Sequence, residues 1–217
     1  MSLVERQESR AGTSSPAPPR EVTATALGPW PGEDPVEAAR IIRGELGSPH
    51  LPFLAELPDR GVGSDALGRT ASLLAELAVD VQPYGWRLVD RPGKDFRRAA
   101  SALATDINVL ADVAGAEENP ATEIKVQLVG PLSLAAGLHL HNGERALLDY
   151  GARRDLAASL AAGVGGFLSR VAALAAAGAT GRHPGFHPGY TLGRACRLLA
   201  IAGHGRAGQA HPACRRA

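Results

Sequence analysis

From Leu156 to Ala217 the chain contains no Asp and no Glu, and this absence limits what its last third can fold into. Helices and turns use carboxylates as N-caps and as solubilising charge, so a natural barrel or sandwich seldom runs this far without one. Arg continues through the stretch, and four of the seven His and both cysteines, Cys196 and Cys214, lie after Thr180. Three readings of the tail stay open: a basic segment for nucleic acid, a small His/Cys metal module, or a stretch translated out of frame from GC-rich DNA.

Upstream of Asp155 acids and bases are mixed, and over all 217 residues 22 Asp and Glu nearly balance 23 Lys and Arg. That composition is globular and argues against a uniformly basic nucleic-acid binder. The length suits one ordinary domain or most of a larger one. Two cysteines exclude a disulfide scaffold, and reduced thiols are the default. Met1 to Arg10 carries Glu5, Arg6, Glu8 and Arg10 without an apolar core, so it cannot act as a secretory signal and the expected location is cytoplasmic.

The first 22 residues, rich in Ser, Pro, Arg and Glu, lack periodic apolar positions and read as a disordered leader. Val22 to Leu27 reads as a strand, ended by Gly28-Pro29-Trp30-Pro31-Gly32. Asp34-Pro35-Val36-Glu37 is a helix start, with Asp34 as cap and Glu37 able to reach back to the cap amide. Val36, Ala39, Ile42 and Leu46 then share one face. Ser64-Asp65 opens a second helix whose Leu67, Ala71, Leu74 and Ala78 keep the same period, before Val79 to Gln82 turns strand-like. Phe96, Ala100, Leu103, Ile107, Leu110 and Ala114 mark a third helix. Ile124, Val126 and Leu128 alternate in a strand closed by Gly130-Pro131, and a long helix runs from about Asp149 to Ala177. Strands separated by helices of this length predict parallel βα units and an α/β class. About three strands precede Gly178, and the next one expected after the long helix is missing, so the sheet reads as unfinished.

The motifs with chemical potential have bland readings beside them. Gly203-His204-Gly205-Arg206-Ala207-Gly208 fits G-x-G-x-x-G after the strand-like Leu198-Leu199-Ala200-Ile201, but Pro212 interrupts the following helix and no acid follows, so it is set aside. Gly61-Val62-Gly63-Ser64 reads as a turn. His183, His187, Cys196 and Cys214 contain the right ligand types for zinc, with only the two His at ligand spacing. His139 and His141 make an H-x-H that a solvent-exposed helix end explains without a metal. Leu156 to Gly178 is long enough to span a bilayer, yet its Ala and Gly content and Arg170 favour a buried helix, and no membrane partner is expected.

Several blocks in order resemble the C-terminal catalytic barrel of cobalamin-independent methionine synthases, above all the shorter actinobacterial methionine-synthase-like proteins. The blocks are Ala26 to Gly32, Arg60-Gly61-Val62-Gly63, Gly68-Arg69-Thr70, Asp80-Val81-Gln82-Pro83, Gly85 to Gly93, and Ile124 to Leu134. The resemblance covers about Thr23 to Ala179. It implies an incomplete (β/α)8 TIM-type barrel over 23–179, between the disordered leader over 1–22 and an irregular basic tail, out of frame or disordered, over 180–217. It further implies methyl transfer from a methyl-folate or a corrinoid to homocysteine or a similar thiol. A zinc ion of the family holds that thiol as thiolate, which is the nucleophile.

By the same resemblance, Leu27, Gly28, Trp30, Gly130 and Pro131 are substrate-binding residues. Leu27, Gly28, Trp30 and Pro31 match the family's I-G-S-[FW]-P loop, and Pro29 replaces its Ser. The family's D-E-P strand and its His, Cys, Glu and Cys zinc ligands cannot be placed after Thr180, so neither a catalytic nor a metal residue is assigned and the chain alone reads as truncated and inactive. The alternative is a non-enzymatic half-barrel scaffold whose Arg/His/Cys tail binds metal or nucleic acid. An open half-barrel also predicts self-association through exposed sheet edges, with no specific nucleic-acid partner.

Overall fold

The computed structural model describes residues 22–121, 123–180 and 196–201. Helix α1 spans Pro35–Glu45, and the Asp34 side chain accepts from the amides of Val36 (2.8 Å) and Glu37 (3.3 Å). This is the cap that the sequence predicts, with Pro35 at the position where its missing N–H costs nothing. Helix α2 is shorter than its apolar spacing predicts. It covers Ala66–Ala71 behind an Asp65 cap and then gives way to a turn in which Glu76 has φ 63. Ala78 opens a strand instead of closing the helix.

That strand, β1 (Ala78–Gln82), does not begin a βα unit as its position after a helix suggests. It turns at Pro83-Tyr84 and pairs antiparallel with β2 (Gly85–Val89), from Ala78 opposite Val89 to Gln82 opposite Gly85. Helix α3 (Lys94–Gly115) follows, with Leu103, Ile107 and Leu110 on its buried face. Strand β3 (Ile124–Val129), helix α4 (Pro131–Gly137), helix α5 (Tyr150–Thr180) and strand β4 (Cys196–Ile201) complete the described elements.

The strand expected to be missing after the long helix is present: β4 pairs in parallel with β3, from Ile124 beside Cys196 to Val129 beside Ile201. Leu198 to Ile201 had the apolar, partly branched pattern of a strand, and only the glycine motif beyond it failed. On the other side of β3, the Lys125 amide donates to the Pro52 carbonyl (2.8 Å) and the Leu54 amide to the Lys125 carbonyl (3.0 Å). Farther out, the amides of Leu51 and Glu56 donate to the carbonyls of Ala24 (2.9 Å) and Gly28 (3.0 Å), and Trp30 donates to Glu56 (2.8 Å). The bridges Pro29 to Glu56 and Phe53 to Lys125 are both parallel. Segments 24–30 and 51–57, β3 and β4 therefore lie side by side, parallel and in chain order. Helix-containing crossovers join the first three, as parallel neighbours require. The class is mixed α/β.

Three apolar clusters hold the layers together. Phe53, Ala55 and Leu57 pack on Ala38 and Ile42 of α1. Ile124, Val126 and Leu128 pack with Leu103, Ile107 and Leu110 of α3 and with Phe167 and Val171 of α5. Val79 and Trp86 of the hairpin pack with Leu134, Leu138, Leu156 and Leu160. Each fully buried Val, Leu, Ile or Phe among them contributes roughly 1.5–3 kcal/mol. Helix α5, the one described helix long and apolar enough to cross a membrane, thus sends Leu156, Leu160, Phe167 and Val171 into the protein core.

Candidate functional site

The loop after segment 24–30 is fixed by residues from two neighbouring segments. Gly28 has φ 132, a conformation that side chains resist, and a Cβ built on it would lie 2.7 Å from Gln127 Cδ. Gln127 donates from Nε2 to the Leu54 carbonyl (2.7 Å), and its Oε1 is buried without a hydrogen-bond partner among the described residues. Two residues earlier on β3, Lys125 Nζ donates to the Ala26 carbonyl and sits 5.3 Å from the Phe53 ring centroid. Lys125 and Gln127 lie on the strand face opposite Ile124, Val126 and Leu128, by the two-residue period of a strand. They reach past segment 51–57 to hold the Leu27 loop.

Glu56 lies on the segment between the loop and β3. Its amide donates to the Gly28 carbonyl (3.0 Å), and only 3% of the residue is exposed. Burial pushes its carboxyl above the ordinary value, opposed by Arg69, by the Gln127 amide and by Lys125, while Asp65 adds to the rise. Burial likewise holds the Lys125 ammonium below the usual lysine range, partly offset by Glu56. A carboxyl and an amine drawn toward each other's titration range in this way are a common mark of functional sites.

Arg69 is anchored from behind. Asp106 of α3 accepts from Arg69 Nη1 and from Arg60 Nη2 (2.9 Å). Thr70 Oγ1 accepts from the Val129 amide (3.0 Å), which docks α2 on the end of β3. Strand β3 then runs into Gly130, the N-cap residue of α4, and Pro131, its first residue.

The residues expected to bind substrate fall at the C-terminal ends of two parallel segments, where ligands of α/β proteins bind. Leu27 is 72% exposed and Gly28 is buried. Trp30 is half-buried, its ring centroid 6.4 Å from that of Phe53. Gly130 and Pro131 close β3, two segments away from the loop. Glu56, Lys125 and Gln127 were not singled out from sequence. A parallel strand covered on both faces should be apolar throughout, so the polar residues inside Ile124 to Val129 were the available signal.

His139 is not at an exposed helix end. It is 7% exposed, in an extended stretch beside β2, and its amide donates to the Trp86 carbonyl (2.9 Å) while Leu88 donates to its own carbonyl (2.8 Å). The Tyr84 ring meets it edge-on at 5.0 Å. His141 is exposed. Among the described residues no three His, Cys, Asp or Glu side chains converge to hold a metal ion, so this part of the chain does not fit the family's zinc. His183, His187, Cys214, the Gly203 to Gly208 motif and the leader lie outside the described residues, as do the side chains of β4. No family model matches the chain, and no curated protein and no solved structure matches it.

Two consequences can be measured on the purified chain. Gly28→Ala is expected to cost about 2–5 kcal/mol, combining ~1–2 for the backbone with ~1–3 for overpacking against Gln127. Urea denaturation reads this directly, and a loss below half a kcal/mol would show that the loop is not held as described.

The second consequence concerns pH. Because the folded carboxyl of Glu56 titrates above its ordinary 4.5, its contribution to stability is greatest below that value and is lost as pH rises through the folded-state pKa. The stability of Glu56→Gln relative to wild type should therefore increase with pH across that window and then level off. A flat or falling difference would contradict the assignment.

Proposed function

We propose that this chain is the loop-bearing half of a methionine-synthase-like methyltransferase barrel, with homocysteine or a similar thiol as acceptor and a methyl-folate or corrinoid as donor. The observation that carries the proposal is the parallel, in-order array of segments 24–30, 51–57 and β3, with the family-like loop at the end of the first and Gly130-Pro131 at the end of the third. An incomplete (β/α)8 barrel accounts for both placements. In this reading Leu27, Gly28 and Trp30 form the wall on which the amino-acid part of the substrate rests. Glu56 supplies a buried negative charge beside that wall, suited to an ammonium group once water is excluded. Lys125 and Gln127 hold the wall in place. No step through zinc is derived, since the described residues do not provide its ligands.

The site is half of a catalytic centre, so the chain alone should be inactive. The protein is placed in the cytoplasm, where its thiol substrate stays reduced. Methyl transfer to homocysteine should be absent for the chain by itself and present when the family's D-E-P and His/Cys portion is supplied in frame after about residue 178. Activity should then fall at least tenfold on Glu56→Gln. Activity unchanged by that substitution would remove Glu56 from the site, and no activity in the completed protein would contradict the proposed reaction.

The scaffold alternative has no comparable observation behind it among the described residues. Its mark would be stoichiometric zinc, or DNA affinity that falls steeply with salt.

A further inference from the structure

Among the described residues, the parallel array has two open edges. In segment 24–30, Ala24, Gly28 and Trp30 use backbone groups to pair with segment 51–57. By strand alternation the amides and carbonyls of Thr23, Thr25 and Leu27 point the other way, where no described residue pairs with them. This edge is also apolar and bare: Val22 is 78% and Leu27 72% exposed, and Ala24 and Ala26 are exposed between them. At the far side, β4 pairs with β3 and with no other described strand. Exposed edges of this kind are templates for another chain.

We propose that a second copy of this chain closes the array, each β4 lying beside segment 22–30 of the other copy. The occupant has to present a parallel edge at both sides at once, and the chain itself carries both edges on one sheet. A two-fold rotation about an axis along the strands keeps every strand direction, makes the two junctions identical and leaves no edge open. It yields eight parallel segments, the number at which a parallel sheet closes around an interior filled by side chains. The inference rests on the segment order and not on methyl transfer, so it can fail while the proposed reaction stands, and the reverse.

Sedimentation and light scattering over a range of concentrations test it. The full wild-type chain is expected at twice 22.4 kDa. Thr25→Pro, which removes an outward amide and leaves the pairing with 51–57 intact, should weaken the dimer at least tenfold, with unchanged far-ultraviolet circular dichroism. Thr25→Val should leave it dimeric. Should the proline variant fail to fold, hydrogen exchange on the wild type decides. The Thr25 and Leu27 amides should be protected at high concentration and lose protection on dilution. A monomer at every concentration, growth beyond the dimer, a dimer indifferent to a folded Thr25→Pro, or unprotected edge amides in the dimer would each overturn the proposal.

Discussion

Asp106→Ala is expected to destabilise the fold by about 3–5 kcal/mol, the usual cost of leaving buried charges without their partner. The Asp106 side chain is 3% exposed and faces two guanidiniums, those of Arg69 (5%) and Arg60 (17%). Removing the carboxylate strands both cations against the apolar contacts of α3. Urea denaturation should show the midpoint falling with little change in slope. The cause can be isolated: in an Asp106→Leu background, Arg69→Met should recover part of the loss, because apolar groups replace the ion pair instead of half of it. A loss under 1 kcal/mol would mean that the guanidiniums are solvated and that Arg69 is not anchored beside Glu56.

Gly163→Ala should cost about 2–4 kcal/mol, against the general rule that Ala improves a helix by ~1 kcal/mol over Gly. A Cβ at 163 would run into the Leu73 carbonyl oxygen. That carbonyl belongs to a turn that cannot withdraw freely, because Ser159 Oγ donates to the Ala75 carbonyl at 2.6 Å and clasps the turn onto α5. Overpacking against fixed backbone therefore outweighs propensity. The same helix provides its own control, since no atom lies within 4 Å of a Cβ at Gly165 or Gly166. Gly165→Ala and Gly166→Ala should each stabilise by about 0.5–1 kcal/mol. Equal effects at 163 and 166 would contradict the docking of α5 on the turn.

Where local chemistry decides structure, the sequence was readable. Asp34 and Pro35 started α1, the three- and four-residue spacing from Phe96 to Leu110 marked α3, and alternation marked β3. Helix α2 is shorter than its spacing predicts because Leu74 and Ala78 keep a helical period by coincidence. The chain leaves the helix at Ser72, and Leu74 and Ala78 are buried from a turn and a strand instead. The hairpin has no local signal, because Pro83-Tyr84 lacks the Asn-Gly or Asp-Gly signature of a two-residue turn and β1 follows a helix as a parallel strand would.

The site was legible only in part. The loop carries its own signature in Gly28-Pro29-Trp30-Pro31. Glu56, Lys125 and Asp106 acquire their meaning from partners 99 residues away, as with Lys125 and Ala26, or 37 away, as with Asp106 and Arg69, which no local pattern encodes. Leu198 to Ile201 has a strand-like pattern, and the lack of acids around it does not prevent β4, because pairing requires only backbone.

Sequencing the coding DNA across codon 178 and translating all frames bears most directly on the proposal that 23–179 is the front of a thiol-methylating barrel. The expected result is an alternative frame that continues the barrel with a strand ending in Asp-Glu-Pro and then supplies His, Cys, Glu and Cys. The absence of that strand from every frame would contradict it.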